Sequence, residues 1–355
     1  MASTVFLHVG APLAPSTTLR DALAGHRRRL ARVGVLYPPG HLGHDGGHRE
    51  AVLDALSLTA EETVPTGSWD RLAEGVRDWR RGTAVLSNEL LADASTSQVD
   101  RIVSSLGSAE VHVVYVAQDL GRALPRAWQQ WVHSGGTVPW SSYASRVVNR
   151  EAHRMGRVFW HSHDLAAVLG RWAGRVPADH VHVVTAAPGD TERTWARFAQ
   201  TLGIDPQRFR LGAGPENGLA ALAGTEVVRL LNAASGVDAE VDRRNLERLT
   251  GFALAVPGPG PRIPAELRDA AAAETERMVD AVRRHGWELV GDADDLRADD
   301  NAFAATPSDV RPGTEDVVRA QTEALRELCT RPQERRGPAG VRRRALRVLR
   351  GRVRP

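Results

Sequence analysis

The sequence predicts an α/β protein, a doubly wound parallel sheet followed by a helical C-terminal extension. Three observations predict it. Short β-rich runs at 5–9, 83–87 and 111–117 are largely apolar, as are strands covered by helices on both faces. Segments with helical apolar spacing separate these runs, the alternation that builds a parallel sheet. Beyond Gly203 the strand-like runs thin out and longer helical segments follow.

In chain order, the strand at 5–9 runs into Gly10, which lets the chain turn sharply. A helix over 19–33 then places Leu19, Ala22, Leu23, His26 and Leu30 on one face. Ser16, Thr17 and Thr18 stand just before it, the residue types that cap helices. Further strands are predicted at 33–37, 83–87, 111–117 and 180–185, with helices at 69–80, 97–106, 123–133, 164–175 and 193–202. The run at 83–87 leads into Ser87, Asn88 and Glu89, which a parallel sheet puts at its carboxyl edge, where ligands bind. Later helices are expected at 219–234, 241–255, 264–285 and 315–330, with connectors at 251–264, rich in proline and glycine, and at 292–313, acidic and turn-rich. There is no internal repeat.

The segment from Val5 to Thr18 has the order of a phosphate cradle: buried strand, tight loop, hydroxyl-rich helix start. A helix N-terminus offers unpaired N–H groups and a partial positive charge to an anion. An ordinary strand, loop and capped helix accounts for the same spacing, since the full G-x-x-x-x-G-K-[ST] pattern is absent. All 46 basic residues are arginine, and Leu13 occupies the place where such loops carry lysine.

His8-Val9-Gly10-Ala11-Pro12, followed by Ser16-Thr17-Thr18-Leu19, resembles the phosphosulfate-binding loop H-V-G-A-P-K-T-G-T-T-x-L-Q of sulfotransferases, especially an actinobacterial sulfotransferase-like family. Val111 to Leu120, with Leu124-Pro125-Arg126-Ala127-Trp128-Gln129, is similar to that family's second nucleotide motif, a strand ending in A-R-D-L before an L-P-S-A-W-Q helix. Shorter matches include Leu169-Gly170-Arg171-Trp172, His182-Val183-Val184-Thr185, Trp195-Ala196-Arg197-Phe198 and Gly286 to Asp292, so the resemblance spans roughly residues 4 to 297. It implies a P-loop NTPase-like fold with a nucleotide-binding core over 1–210; the helical spacing that follows is expected to form an extension over 211–330 packed on it, and the arginine count a tail over 331–355. The implied donor is 3′-phosphoadenosine 5′-phosphosulfate (PAPS) and the implied acceptor a hydroxyl or amine on a small molecule or glycan. Gly10, Ala11, Pro12, Ser16, Thr17, Thr18, Gln118 and Arg126 fall on the donor-binding positions.

The departures lie where the chemistry would be. Leu13 replaces the loop lysine, Pro15 the loop glycine, Gln118 the arginine that grips the 3′-phosphate, and Arg126 that arginine's serine partner. Pro15 also removes a backbone donor. Sulfuryl transfer, like phosphoryl transfer, draws its catalysis from fixed cations and aimed donors, and losing one commonly costs about 10²–10³ in rate. Arg20 and Arg126 are the candidate replacement cations. Glu89, in a segment similar to the family's S-H-E-L-L, is the candidate general base, with His8 the second candidate. Equally, Glu89 could simply start a helix as a dipole-favoured acid, and His8 could be a packed core residue. Two functions from different classes therefore stand: a PAPS-dependent sulfotransferase, and a degenerate homologue that binds an anion, nucleotide or partner. A small-molecule kinase would need the missing lysine and an acidic magnesium ligand, for which only Asp119 is placed.

Composition bounds the remainder. At 355 residues and 42% hydrophobic content, the chain can bury one large core or two moderate ones. A single cysteine, Cys329, excludes an internal disulfide, and no run reaches the roughly 18 apolar residues of a membrane helix. With no signal-peptide pattern at its start, the chain is expected to be cytoplasmic. Of the formal net charge of +3, residues 331–355 hold +9 and the first 330 residues −6. That tail suits an anionic membrane, nucleic acid or acidic partner through a short amphipathic helix, or serves as a solubilising coil. Histidines at 41, 44 and 48, and at 161 and 163, have spacings a zinc site could use, but lack a rigid paired-ligand pattern, so no metal is expected there.

Overall fold

The computed structural model describes residues 2–13, 15–39, 48–58, 66–211, 219–234 and 250–330. The arginine-rich tail, His41 and His44, and most of the helix expected at 241–255 lie outside the described residues. The described chain contains a six-stranded parallel sheet flanked by helices, as expected.

Strand β1 (Thr4–Gly10) leads into helix α1 (Ser16–Arg32), and the two-residue β2 (Val35–Leu36) follows. This second strand is shorter than predicted, because α1 runs on to Arg32 and the turn at Gly34 consumes the residues before Val35. Gly34 sits at φ +90°, and a Cβ there would lie 2.8 Å from the Arg81 carbonyl oxygen. Helices α2 (Arg49–Ala55) and α3 (Ser68–Asp78) precede β3 (Thr83–Ser87), which has its predicted bounds. Helix α4 (Thr96–Ser105) leads to β4 (Glu110–Ala117), and α5 (Leu120–His133), α6 (Trp140–Val148), α7 (Arg154–His163) and α8 (Leu165–Ala173) fill the stretch before β5 (Val181–Thr185). The short α2, α6 and α7 were not predicted, each spanning ten residues or fewer and so too few turns for a clear apolar period. Helices α9 (Thr191–Thr201), α10 (Leu222–Ala234), α11 (Arg268–His285) and α12 (Thr314–Thr330) follow, with an unpredicted strand, β6 (Glu288–Val290), between the last two. Three residues carry no alternation to read, so β6 exists by its pairing with β5.

Strand order is β2-β3-β1-β4-β5-β6, so the chain winds outward in both directions from β1. That reversal opens a crevice at the carboxyl ends of the central strands, where ligands of such sheets bind. Alternating side chains supply two cores. Val5, Leu7 and Val9 pack with Trp69 and Ala73 of α3, Val99 and Ile102 of α4 and Leu169 and Trp172 of α8. On the other face, Phe6, Val85, Val114 and Val184 pack with Leu19, Leu23 and Leu30 of α1 and Trp195 and Phe198 of α9. Helices on both faces make the fold doubly wound.

The residues group into two compact units. The first comprises Met1–Asp119, Arg157–Glu216 and Ala273–Arg297, and holds the sheet. The second comprises Leu120–Gly156, Asn217–Ala272 and Ala298–Pro355, and is built mainly from helices, including α5, α6, α10 and α12. The division thus cuts the chain at several points, where the sequence suggested consecutive segments divided near residues 210 and 330. Among the described residues, no helix is long and apolar enough to cross a membrane.

Candidate functional site

The first unit gathers its polar groups around the exit of β1. Gly10 is required there because a Cβ would lie 3.0 Å from the Tyr115 ring and 3.3 Å from the Ala92 Cβ. The next residue is held to the sheet, Ala11 N–H donating to the Val116 carbonyl of β4 at 3.0 Å. Pro12 and Pro15 have no N–H. Ala11, Pro12 and Pro15 thus offer an anion no backbone donor, whereas the first turn of α1 does.

That turn starts earlier than the sequence suggested. Ser16, Thr17 and Thr18 were expected to precede and cap the helix, but α1 begins at Ser16, Pro15 holds the N-cap position, and no side chain caps the helix. The Ser16 hydroxyl instead donates back to the Ala11 carbonyl at 2.6 Å. Its oxygen lies 3.3 Å from His8 Nε2, and Ser87 Oγ lies 2.8 Å from His8 Nδ1. Because Ser16 gives its proton to Ala11, consistent bonding has His8 donating from Nε2 and Ser87 donating to Nδ1. His8 therefore carries its proton on Nε2 and locks β1, β3, the loop and α1 together. Burial, aided by the Arg20 charge and opposed by a bond to the Gly10 backbone, lowers the His8 pKa to about 3. Its ring also packs edge-on against Phe198 at 5.0 Å. His8 is thus a buried, neutral tie.

Two residues far apart in sequence meet beside this tie. Arg20, in the early part of α1, donates from Nη1 to Glu89 Oε2 at 3.1 Å and Oε1 at 3.3 Å, and both side chains are under one fifth exposed. Glu89 opens a short 3-10 helix, Glu89–Asp93, whose N-cap is Asn88. The Asn88 side chain accepts from Leu90 N–H at 3.0 Å and its backbone N–H donates to the His8 carbonyl at 3.2 Å. Two donors here, Arg20 Nε and Asn88 Nδ2, are buried without a hydrogen-bond partner among the described residues.

The other predicted positions are dispersed. Thr17 and Thr18 are half-buried in the first turn of α1, and Leu13 takes a left-handed backbone at φ +75°. Gln118 is half-buried one residue beyond β4, and its neighbour Asp119 is buried. Arg126 lies on α5, which belongs to the second unit. Of the histidines with zinc-like spacings, His48 is buried and its Nδ1 accepts from the Ser87 N–H at 3.0 Å while Nε2 faces the Pro38 carbonyl at 3.1 Å. His163 stacks on Phe159 at 4.2 Å, and Asp164 caps α8.

Sequence reasoning did not single out Arg197 of α9. Its Nη1 donates to the Thr185 hydroxyl at 2.9 Å, at the carboxyl end of β5, and pairs with Asp295. The Trp195-Ala196-Arg197-Phe198 match was the available signal.

No family model and no curated protein matches this chain. Among solved structures, a sulfotransferase from Alicyclobacillus acidocaldarius is similar, at 13% identity and a TM-score of 0.43, covering 81% of this chain and 97% of that one.

Proposed function

We propose that this chain is a sulfotransferase-like protein that binds the 3′-phosphoadenosine nucleotide of PAPS at the β1–α1 junction and passes its sulfuryl group to a hydroxyl or amine acceptor on a small molecule or glycan. The observation that supports this reading is the contact of Arg20 with Glu89, since the candidate cation and the candidate base, separated by 69 positions, meet beside the loop.

The residues fit the donor in part. The first-turn N–H groups of α1, with the Thr17 and Thr18 hydroxyls, suit an anion held at a helix N-terminus. Arg20 supplies the nearby positive charge that Leu13 does not. The donor brings an electrophilic sulfur bonded to a phosphate leaving group. Glu89 would accept the acceptor's proton as the new bond to sulfur forms and the sulfur–phosphate oxygen bond breaks, which requires its carboxylate to part from Arg20. A phosphate at the helix start competes for the guanidinium and so frees the carboxylate, coupling donor binding to base activation. Arg20 Nε and Asn88 Nδ2 are further donors with unmet capacity.

One observation favours the second reading, a degenerate homologue that binds an anion without transferring sulfate. The Arg20 charge is already answered by Glu89, while Leu13 and Gln118 are uncharged. Calorimetry of the full chain with 3′-phosphoadenosine 5′-phosphate, paired with a PAPS turnover assay against phenolic and amine acceptors, separates the two. The enzyme reading expects nucleotide binding, weaker binding in Arg20→Ala, and turnover that falls about 10²–10³-fold in Glu89→Gln with binding kept. Binding without turnover favours the degenerate homologue. No heat at millimolar nucleotide overturns both nucleotide-based readings.

A further inference from the structure

At the opposite edge of the sheet, the amino ends of β4, β5 and β6 bring three histidines and two glutamates together. Glu110 and His112 begin β4, His180 and His182 stand at the start of β5, and Glu288 begins β6, paired in register with His182. His112 Nε2 and His180 Nε2 both converge on Glu110 Oε1, at 3.3 and 3.2 Å. His112 Nδ1 contacts His182 Nε2 at 2.9 Å, and His182 Nδ1 contacts the Glu288 carboxylate. The His112 ring is stacked on His180 at 4.2 Å and rests on Phe6 at 4.8 Å, which fixes its plane.

Counting protons shows what the cluster lacks. The line from Glu110 through His112 and His182 to Glu288 contains three contacts, and two neutral imidazoles bring only two protons. Glu288 takes the Nδ1 proton of His182, whose bare Nε2 takes the Nδ1 proton of His112. The Nε2 lone pair of His112 is then left facing a carboxylate oxygen, an arrangement that is repulsive unless a cation lies between them. Either a third proton on one of the rings or a metal ion between His112 Nε2 and Glu110 satisfies that remaining contact.

We propose that Glu110, His112 and His180 form a binding site for a divalent transition-metal ion of the zinc class, with His182 and Glu288 orienting His112. The three ligand atoms lie within 4.8 Å of one another. Tetrahedral zinc with bonds of about 2.0–2.1 Å has ligand–ligand edges of about 3.3 Å, which the two contacts to Glu110 match, while the stacked rings of His112 and His180, at 17° to each other, require one ring to turn before both nitrogens face one ion. Two imidazoles and one carboxylate leave a fourth position for water. A carboxylate behind a ligating imidazole is a common second layer of zinc sites, and here it acts through His182. Glu110 is about half exposed, at 53%, so the ion has a way in from solvent. Metal binding moves the His180 proton to Nδ1, which is buried without a partner among the described residues, so the affinity falls below that of a closed structural zinc site.

The test uses the untagged full chain, stripped with chelator and titrated with Zn²⁺ by calorimetry and with Co²⁺ by visible absorption. One equivalent is expected to bind with micromolar affinity and to give the visible band of low-coordinate cobalt. His112→Gln and His180→Gln should abolish that equivalent, Glu110→Gln should weaken it while leaving the fold intact because the side chain is at the surface, and Glu288→Gln should weaken it about tenfold or more. A variant carrying His41→Gln and His44→Gln should bind as the parent does. Failure of the parent to bind either ion, or loss of binding with the His41 and His44 changes in place of those at 110, 112 and 180, overturns the proposal. So would a cluster that takes up a proton and no metal.

Discussion

At the residue scale, the chemistry of the β1–α1 junction turns on Leu13, which holds φ +75° and no charge where the resembling loops carry lysine. A left-handed backbone costs a side-chain-bearing residue about 1–2 kcal/mol. Gln118, one residue beyond β4, is the matching loss, uncharged where the resembling motif carries arginine. Restoring both cations in Leu13→Lys with Gln118→Arg is expected to tighten 3′-phosphoadenosine 5′-phosphate by about ten- to a hundredfold, the range a charged hydrogen bond commonly contributes. Calorimetry measures it directly. An unchanged affinity would mean that other groups, Arg20 first among them, already satisfy the anion, or that it binds elsewhere.

At the scale of elements, His48 shows how a side chain can hold several segments at once. It stands at the N-cap of α2, accepts from the backbone N–H of Ser87 at the end of β3, and faces the Pro38 carbonyl just beyond β2. Since Nδ1 accepts, the proton is on Nε2 and is donated to Pro38. His48→Ala leaves the Ser87 donor and the Pro38 acceptor unmet in a buried place, and is expected to cost about 2–4 kcal/mol in urea unfolding. His48→Gln should recover part of it, while a cost under about half a kcal/mol would show the tie to be incidental. In sequence His48 read as the end of a glycine-rich histidine stretch, because its partners lie 10 and 39 positions away. The sheet itself was legible, since β1, β3, β4 and β5 are apolar runs of five to eight residues whose pattern is local. Strand β6 and the helix start at Ser16 were not, as one is set by pairing with β5 and the other by the Ser16 bond to Ala11. Arg20 and Glu89 were both nominated from the sequence, but their contact is a product of the fold that neither local pattern contains.

At the scale of the whole molecule, the buried histidines set how the protein meets acid. Burial lowers His8 to about 3 and His48 and His163 to about 4, against 6.5 in an open chain, and all three belong to the sheet-bearing unit. Between those values the unfolded chain binds protons that the folded chain refuses, so stability rises with pH across the window. The contribution is therefore complete above pH 6.5 and is lost as pH falls toward 4 and then 3. Each such histidine removes about 1.4 kcal/mol per pH unit, so three acting together remove roughly 4 kcal/mol per unit at the steepest. Asp295 adds a later loss: burial opposes ionisation, but bonds from Thr185 and Arg197 outweigh it and hold the carboxyl below 3.8, so its share disappears only below that pH. Together the three remove at most about 12 kcal/mol, so for a stability in the lower half of the usual range of about 5–15 kcal/mol the histidines alone are expected to unfold the sheet-bearing unit between about pH 4 and 5.5. Trp69, Trp172 and Trp195 are buried in this unit and report its unfolding by fluorescence. Urea midpoints measured at pH 7, 6 and 5 should fall steeply, and His8→Gln should flatten that fall even where it lowers stability at pH 7. A slope untouched by His8→Gln and His48→Gln alike would show that the buried rings are charged or solvated before the fold opens.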